Sequence, residues 1–167
     1  FPVKSKGLND VMKKIIFTAI LIIHMCVIFG FSMQPARDSG AQSKGFTVAV
    51  MNMIPGMNTK SVDEKNQIAE NIDFYIRKCA HFSIYTVLGF LAFFAFLSYD
   101  GIRNCKYKYL YILVFCLLYA VSDEIHQYFV PGRACRVFDV GVDFCGSLFG
   151  VYLASVLTKF LKRKKKA

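Results

Sequence analysis

The second apolar stretch of the sequence opens with polar side chains that can carry out chemistry. Arg77, His81 and Tyr85 are spaced four residues apart, with Lys78 beside them, so on a helix they share one face. A guanidinium or ammonium group can bind a phosphate, and an imidazole can act as a general acid or base. Because a charged group at the bilayer centre costs about 2.5–3.5 kcal/mol, we expect this face to point into a helix bundle.

A second polar group follows the third apolar stretch, in SDEIHQYFVPGR. Asp123 and Gln127 are four residues apart and share a helix face, whereas Glu124 points about 100° away from them. The Pro-Gly pair before Arg133 predicts a turn. A phosphate of a lipid carrier could then be bound by Arg77, Lys78 and Arg133, with Glu124 as a further acid–base candidate.

The fourth apolar stretch begins FDVGVDFCGSLFG. Asp139 and Asp143 lie four apart, and Asp139 is placed to cap the start of a helix. Gly146 and Gly150 form a small-residue edge suited to close helix packing.

These polar groups and the Ser32/Gln34 end of the first apolar stretch should meet at one membrane face. Two interpretations are open. The groups lock a small bundle through ion pairs and hydrogen bonds, or they form a ligand pocket, which we favour because of their number and variety. The pocket predicts that six side chains converge with at least one arginine–carboxylate pair among them: Arg77, His81, Asp123, Glu124, Arg133 and Asp139.

Four apolar blocks must position these residues, at roughly 15–33, 80–99, 108–122 and 138–161. Hydrophobic residues make up 55% of the 167 residues, and the mean hydropathy is +0.41. Each block approaches the roughly 20 residues that cross a bilayer core. The sequence therefore predicts an all-α membrane protein of about four transmembrane helices. The first block is either a cleaved signal peptide or, as its length favours, a retained anchor.

The segment between the first two blocks contains a capping-box pattern, Ser61 to Glu64, followed by isoleucines at helical spacing. It predicts an amphipathic helix on the outer surface that runs into the second span. A helix that merely packs on the bundle fits the same pattern.

Charge predicts the orientation. With four spans, the side that holds both termini and the 100–108 loop carries 13 of the 21 basic residues but two of the eleven acidic ones. Excess positive charge marks the cytoplasmic side. We therefore expect a cytoplasmic N-terminus at 1–14, a transmembrane domain at 15–161 and a basic cytoplasmic tail at 162–167. Met12, before two lysines, is the expected initiation residue, which would leave 1–11 outside the natural chain.

The net charge of +10 does not indicate nucleic-acid binding, because six basic residues cluster directly after an apolar helix, as in membrane anchors. The six cysteines show no zinc-type spacing, and we expect no metal and no cofactor. A disulfide between Cys79 and Cys135 is possible on topology and stays open.

Four motifs together resemble the VanZ-like family: FSMQP at 31–35, RKCAHFSIYTVLG at 77–89, SDEIHQYFVPGR at 122–133 and FDVGVDFCGSLFG at 138–150. The resemblance implies a small, multi-pass protein of the bacterial cell membrane and envelope. Some relatives lower susceptibility to glycopeptide antibiotics such as teicoplanin. The family's characteristic positions map onto Gln34, Arg77, Lys78, His81, Tyr85, Asp123, Glu124, Gln127, Arg133, Asp139 and Asp143. His126 falls at a variable position.

Three functions remain open at this point. The pocket binds an envelope lipid or cell-wall precursor, the protein is an enzyme acting on a lipid phosphate or polyprenyl-phosphate head group, or the chain is a purely structural bundle. The enzyme would use His81 and Glu124 as catalytic residues. Membrane lipids are expected partners in every case, nucleic acid is not, and the oligomeric state is open.

Overall fold

The structure, a computed structural model, describes residues 3–34, 45–133 and 135–164. It is 86% helical, and no strand occurs in these ranges. Four long helices, numbered here in chain order, are α1 (Val3–Ser32), α2 (Val62–Leu97), α3 (Lys108–Tyr128) and α4 (Val137–Lys164). All four are long and apolar enough to cross a membrane. The predicted fold class, an all-α protein with four membrane-spanning helices, is confirmed.

Shorter elements connect the long helices. Residues 45–52 are helical, a 3-10 turn covers Met57–Thr59, and a four-residue helix, Asp100–Arg103, lies between α2 and α3. The first apolar block forms most of α1, which begins at Val3. The helix therefore also includes most of the predicted N-terminal segment, 1–14.

The capping box at the start of α2 is present as predicted. The Ser61 hydroxyl accepts the backbone N–H of Glu64 at 3.3 Å, and the Glu64 carboxylate accepts the backbone N–H of Ser61 at 2.9 Å. From there α2 runs for 36 residues, about 54 Å at about 1.5 Å per residue. A bilayer core is about 30 Å thick, so α2 is one continuous helix that holds both the predicted amphipathic segment and the second span.

The third helix is longer than its apolar block. Instead of stopping at residue 122, α3 continues to Tyr128 and carries Asp123, Glu124 and Gln127 as buried residues. The helix can continue because these side chains find partners inside the bundle, so their polarity does not end it.

The chain runs up and down the bundle and separates two ends. Lys14 of α1 pairs with Asp100 at 3.4 Å, and Tyr109 of α3 hydrogen-bonds Ser155 of α4 at 3.4 Å. These contacts gather one end of every long helix, which we call the basic end for its cations: Lys13, Arg103, Lys108, Lys159 and Lys162. The opposite end, with Ser32, His81, Asp123 and Asp143, is the polar end. On the α1 side, His24 Nε2 bonds the Ile84 carbonyl at 2.9 Å.

The parallel helices α2 and α4 share the most extensive contact of the bundle, and glycines make it possible. A Cβ on Gly150 would lie 2.0 Å from the Thr86 carbonyl oxygen, and one on Gly146 would lie 2.4 Å from that of Phe82. Both distances are far inside van der Waals contact, so only glycine lets the backbones come this close. The predicted small-residue edge on α4 is confirmed, and Gly89 of α2 makes the matching approach to Ser147.

Replacing Gly150 with alanine should therefore destabilise the bundle. The new methyl group would meet backbone atoms of α2, which cannot move aside as a side chain can, and overpacking of this kind costs about 1–3 kcal/mol or more. Gly141→Ala is the matched control, because nothing lies within 4 Å of its Cβ position on the same helix. Thermal unfolding in detergent should show a lower Tm for Gly150→Ala alone; equal Tm values would contradict the backbone contact.

Candidate functional site

Asp123 connects three helices at the polar end. Its Oδ1 accepts a hydrogen bond from the Ser32 hydroxyl of α1. Its Oδ2 accepts from the Tyr85 hydroxyl of α2 at 3.0 Å and from Gln127 Nε2 at 3.1 Å. The carboxylate is 3% exposed, and burying such a group is costly unless it is hydrogen-bonded. The three donors meet that requirement, and they also fix how α1, α2 and α3 meet.

Arg133 closes the same network from the α3–α4 turn, where Gly132 has the positive φ of 78° that favours glycine. The guanidinium donates to Gln127 Oε1 at 2.9 Å and to the carbonyls of Gln34 at 2.9 Å and Phe31 at 3.3 Å. Helix ends leave carbonyls without partners, so Arg133 caps the end of α1. Burial lowers the pKa of Arg133 from its ordinary value, while the nearby carboxylates of Asp123 and Glu124 oppose the shift.

One ion pair and one histidine–carboxylate contact join α2 to α4. Lys78 Nζ pairs with Asp139 Oδ1, and His81 Nδ1 lies 3.2 Å from Asp143 Oδ1. Asp143 is fully buried, and the side chains of Lys78 and Asp139 keep 17% and 15% of their exposure. Both pairs follow from the parallel packing of α2 on α4, which sets two bases three residues apart opposite two acids four residues apart.

The prediction that the six converging side chains include an arginine–carboxylate pair is wrong. Arg77 pairs at 3.1 Å with Asp73, one turn earlier on its own helix, and Asp73 was not among the six. Among the described residues, the acceptors in hydrogen-bond contact with Arg133 are amide and carbonyl oxygens. The reason is geometric: the Gln127 amide bridges Arg133 and Asp123, since it accepts from the guanidinium and donates to the carboxylate.

Glu124 holds the start of α4. Its Oε1 accepts the backbone N–H of Arg136, the residue before α4, at 2.6 Å. Its Oε2 is buried without a partner in the part of the chain that the structure describes, and the residue is 1% exposed. Asp139, predicted to cap this helix, uses its Oδ1 for Lys78 instead. The helix start is therefore held by Glu124, because α3 delivers that carboxylate to the α3–α4 turn.

A cavity of about 310 Å³ lies between the end of α1, the middle of α2 and the α3–α4 turn. Six predicted site residues line it: Gln34, Arg77, His81, Tyr85, Asp123 and Arg133. The rest of its wall is mostly apolar and includes Ile28, Phe31, Phe46, Ile76 and Ile84.

The structure thus divides the predicted site. The other five predicted residues do not line the cavity: Lys78, Glu124, Gln127, Asp139 and Asp143. They hydrogen-bond to residues that do, or hold α4 against α2 and α3. These five residues therefore hold in place the helices and side chains that form the cavity wall.

His81 belongs to both parts of the site. Its ring lines the cavity, while Nδ1 contacts the buried Asp143 carboxylate. Nε2 has no hydrogen-bond partner among the described residues. A carboxylate at Nδ1 favours the proton there, so Nε2 is the ring nitrogen left to contact a ligand in the cavity.

The sequence did not predict the polar contacts of two residues, Asp73 and Tyr119. It left open the place of His126 and a disulfide between Cys79 and Cys135. Asp73 is signalled by its spacing four residues before Arg77, whereas Tyr119, which donates to the Met25 carbonyl at 2.7 Å, has no such signal. His126 stacks on Phe29 with ring centroids 4.3 Å apart, away from the cavity lining. Cys79 and Cys135 are both free.

The fold and this site define a class: a four-span helical membrane protein with a polar cluster at one end. The VanZ/LLP1 family profile matches residues 17–158, most of the chain, and the protein belongs to that family. The resemblance inferred from the four motifs is confirmed. No match to this chain was found among curated proteins or among solved structures.

The Lys78–Asp139 pair gives a test of which groups stabilise the bundle. Asp139→Ala should lower the Tm, because it leaves a half-buried ammonium without its partner. We expect a cost of about 1–3 kcal/mol, below the roughly 3–5 kcal/mol typical of fully buried pairs. Adding Lys78→Met should recover most of the loss, since an uncharged chain of similar length needs no counter-ion.

Glu124→Gln is the control for that experiment. Its amide oxygen can still accept the Arg136 N–H, so folding should be retained. If Glu124→Gln unfolds and Asp139→Ala keeps the wild-type Tm, then the Glu124 carboxylate, and not the Lys78–Asp139 pair, stabilises the bundle.

Proposed function

We propose that the polar-end cavity binds the anionic head group of an envelope lipid or a lipid-linked cell-wall precursor. The observation that carries the proposal is the composition of its wall, which combines the Arg77 guanidinium and the His81 imidazole with mostly apolar side chains. The other polar side chains of the wall, such as those of Tyr85 and Asp123, bond to one another. Such a wall suits an amphipathic molecule with a phosphate at one end.

Arg77 is the cation available to such a ligand. One N–H of its guanidinium is used by Asp73 at 3.1 Å, and the side chain is 48% exposed. Since a guanidinium has five N–H donors, several remain for phosphate oxygens. Lys78 and Arg133, the other two members of the predicted phosphate clamp, are occupied by Asp139 and by the end of α1, and so position the site.

The cavity volume limits what part of a lipid is enclosed. Its size, about 310 Å³, lies at the low end of ligand sites, which span about 300–1,000 Å³. A head group and the first carbons of a chain fit this space, and the remaining hydrocarbon would lie in the bilayer. The apolar side chains of Ile28, Ile76 and Ile84 are placed to contact those first carbons.

We propose further that the protein lies in the bacterial cell membrane with both termini in the cytoplasm. The basic end supports this orientation, because cations concentrate on the cytoplasmic side of membrane proteins. The cavity would then open at the outer face, where α2 extends beyond the bilayer. From there, ligand binding would alter susceptibility to glycopeptides such as teicoplanin, as the family resemblance implies.

Cysteine accessibility tests the orientation. In a cysteine-free background, Asn66→Cys should react with a membrane-impermeant maleimide in intact cells, and Lys162→Cys should react only after permeabilisation. Both positions are exposed, so access alone decides the result. The reverse labelling pattern would overturn the orientation.

An enzyme acting on a lipid phosphate is the second candidate, and the His81–Asp143 contact favours it. A carboxylate at Nδ1 with a free Nε2 toward the ligand is an arrangement that general acid–base catalysis uses. Glu124, the other predicted catalytic residue, is buried behind the cavity and holds α4.

Product formation from a polyprenyl diphosphate, lost in His81→Gln, would favour the enzyme over the binding protein. A purely structural bundle predicts neither binding nor product.

Arg77→Gln should weaken binding of polyprenyl phosphate at least about tenfold, the loss expected for one charge-assisted phosphate contact. Arg163→Gln is the matched control, since it also removes one arginine but lies in the last turn of α4, outside the lining of this cavity. Native mass spectrometry with added polyprenyl phosphate measures binding, and a teicoplanin-susceptibility assay measures the effect in cells. Equal binding by wild type and both variants would refute the proposed site.

A further inference from the structure

A second cavity lies at the basic end, far from the site described above. Its volume is about 480 Å³, and it opens between the start of α1, the end of α2, the start of α3 and the end of α4. We propose that this basic-end cavity binds the phosphate head group of an anionic phospholipid.

Five cations from four separate segments line the cavity: Lys13, Arg103, Lys108, Lys159 and Lys162. Asp10 is the one carboxylate among the lining residues, and it lies 4.0 Å from Lys13. This convergence is distinct from the basic tail, because three of the cations come from α1, the α2–α3 connection and α3.

Few of these charges are neutralised by the protein. Arg103 pairs with Asp100, whereas Lys108 donates to a carbonyl, that of Arg103, at 3.2 Å. No counter-ion is found for Lys159 or Lys162 among the described residues. Like charges held this close repel one another, so an anion between them would stabilise the folded bundle.

The floor of the cavity identifies the anion as a lipid. Phe93 is 3% exposed and lies beside Phe94, which stacks on Phe17 with ring centroids 5.5 Å apart. A free phosphate gains nothing from such a floor, whereas the glycerol and first chain carbons of a phospholipid would cover it. Basic pockets between membrane helices at the cytoplasmic side bind anionic lipid head groups in this way.

The test compares the full chain in nanodiscs of phosphatidylcholine with and without cardiolipin. Binding to the folded state raises Tm by mass action, and we expect cardiolipin at about four times its Kd to raise it by about 2–4 °C. Lys159→Gln/Lys162→Gln should lose this shift. Arg163→Gln/Lys164→Gln is the matched control, with equal charge removed from the same helix but outside the cavity lining, and it should keep the shift.

Three results would overturn the proposal: no shift in wild type, equal loss in the control, or a shift of the same size from inorganic phosphate alone. Equal loss would indicate a general charge effect, and a phosphate shift would indicate a soluble anion. Arg77→Gln should leave the cardiolipin shift intact, which separates this site from the polar-end cavity.

Discussion

The backbone approach of α2 and α4 is the constraint on which the rest of the molecule depends. Because Gly146 and Gly150 carry no Cβ, the two parallel helices meet at their main chains. That approach fixes the register in which Lys78 faces Asp139 and His81 faces Asp143. A membrane gives helices no hydrophobic reason to associate, so close packing of this kind and polar contacts must hold the bundle together.

The polar end therefore contains two sets of polar residues. Asp123, Gln127 and Arg133 satisfy one another and the end of α1, which leaves them little capacity for a ligand. Arg77 and His81 keep free donor or acceptor positions beside the cavity. The contacts support the structural interpretation for the first set of residues, and the proposed ligand site rests on the second.

Much of this arrangement could be predicted from the sequence. Apolar block length indicated four spans, the Ser61–Glu64 pattern indicated the start of α2, and four-residue spacing placed His81 and Tyr85 on one face. Pairing across helices could not be predicted, because it depends on register: nothing local shows that Glu124 reaches the Arg136 N–H or that Arg133 caps α1. The spacing of Asp123 and Gln127 indicated a helix beyond the apolar block, and α3 does extend to Tyr128. The partners on other helices that make these polar residues compatible with burial could not be predicted.

We propose that Arg77 binds a phosphate in the polar-end cavity. Solid-state NMR can measure this directly, through the dipolar coupling between the ³¹P of bound polyprenyl phosphate and ¹⁵N-labelled arginine side chains. We predict a coupling that corresponds to about 4 Å, as expected for a guanidinium in direct contact with phosphate oxygens, and its loss in Arg77→Gln. If the coupling persists in Arg77→Gln, or is absent in wild type with lipid bound, the phosphate does not bind at Arg77.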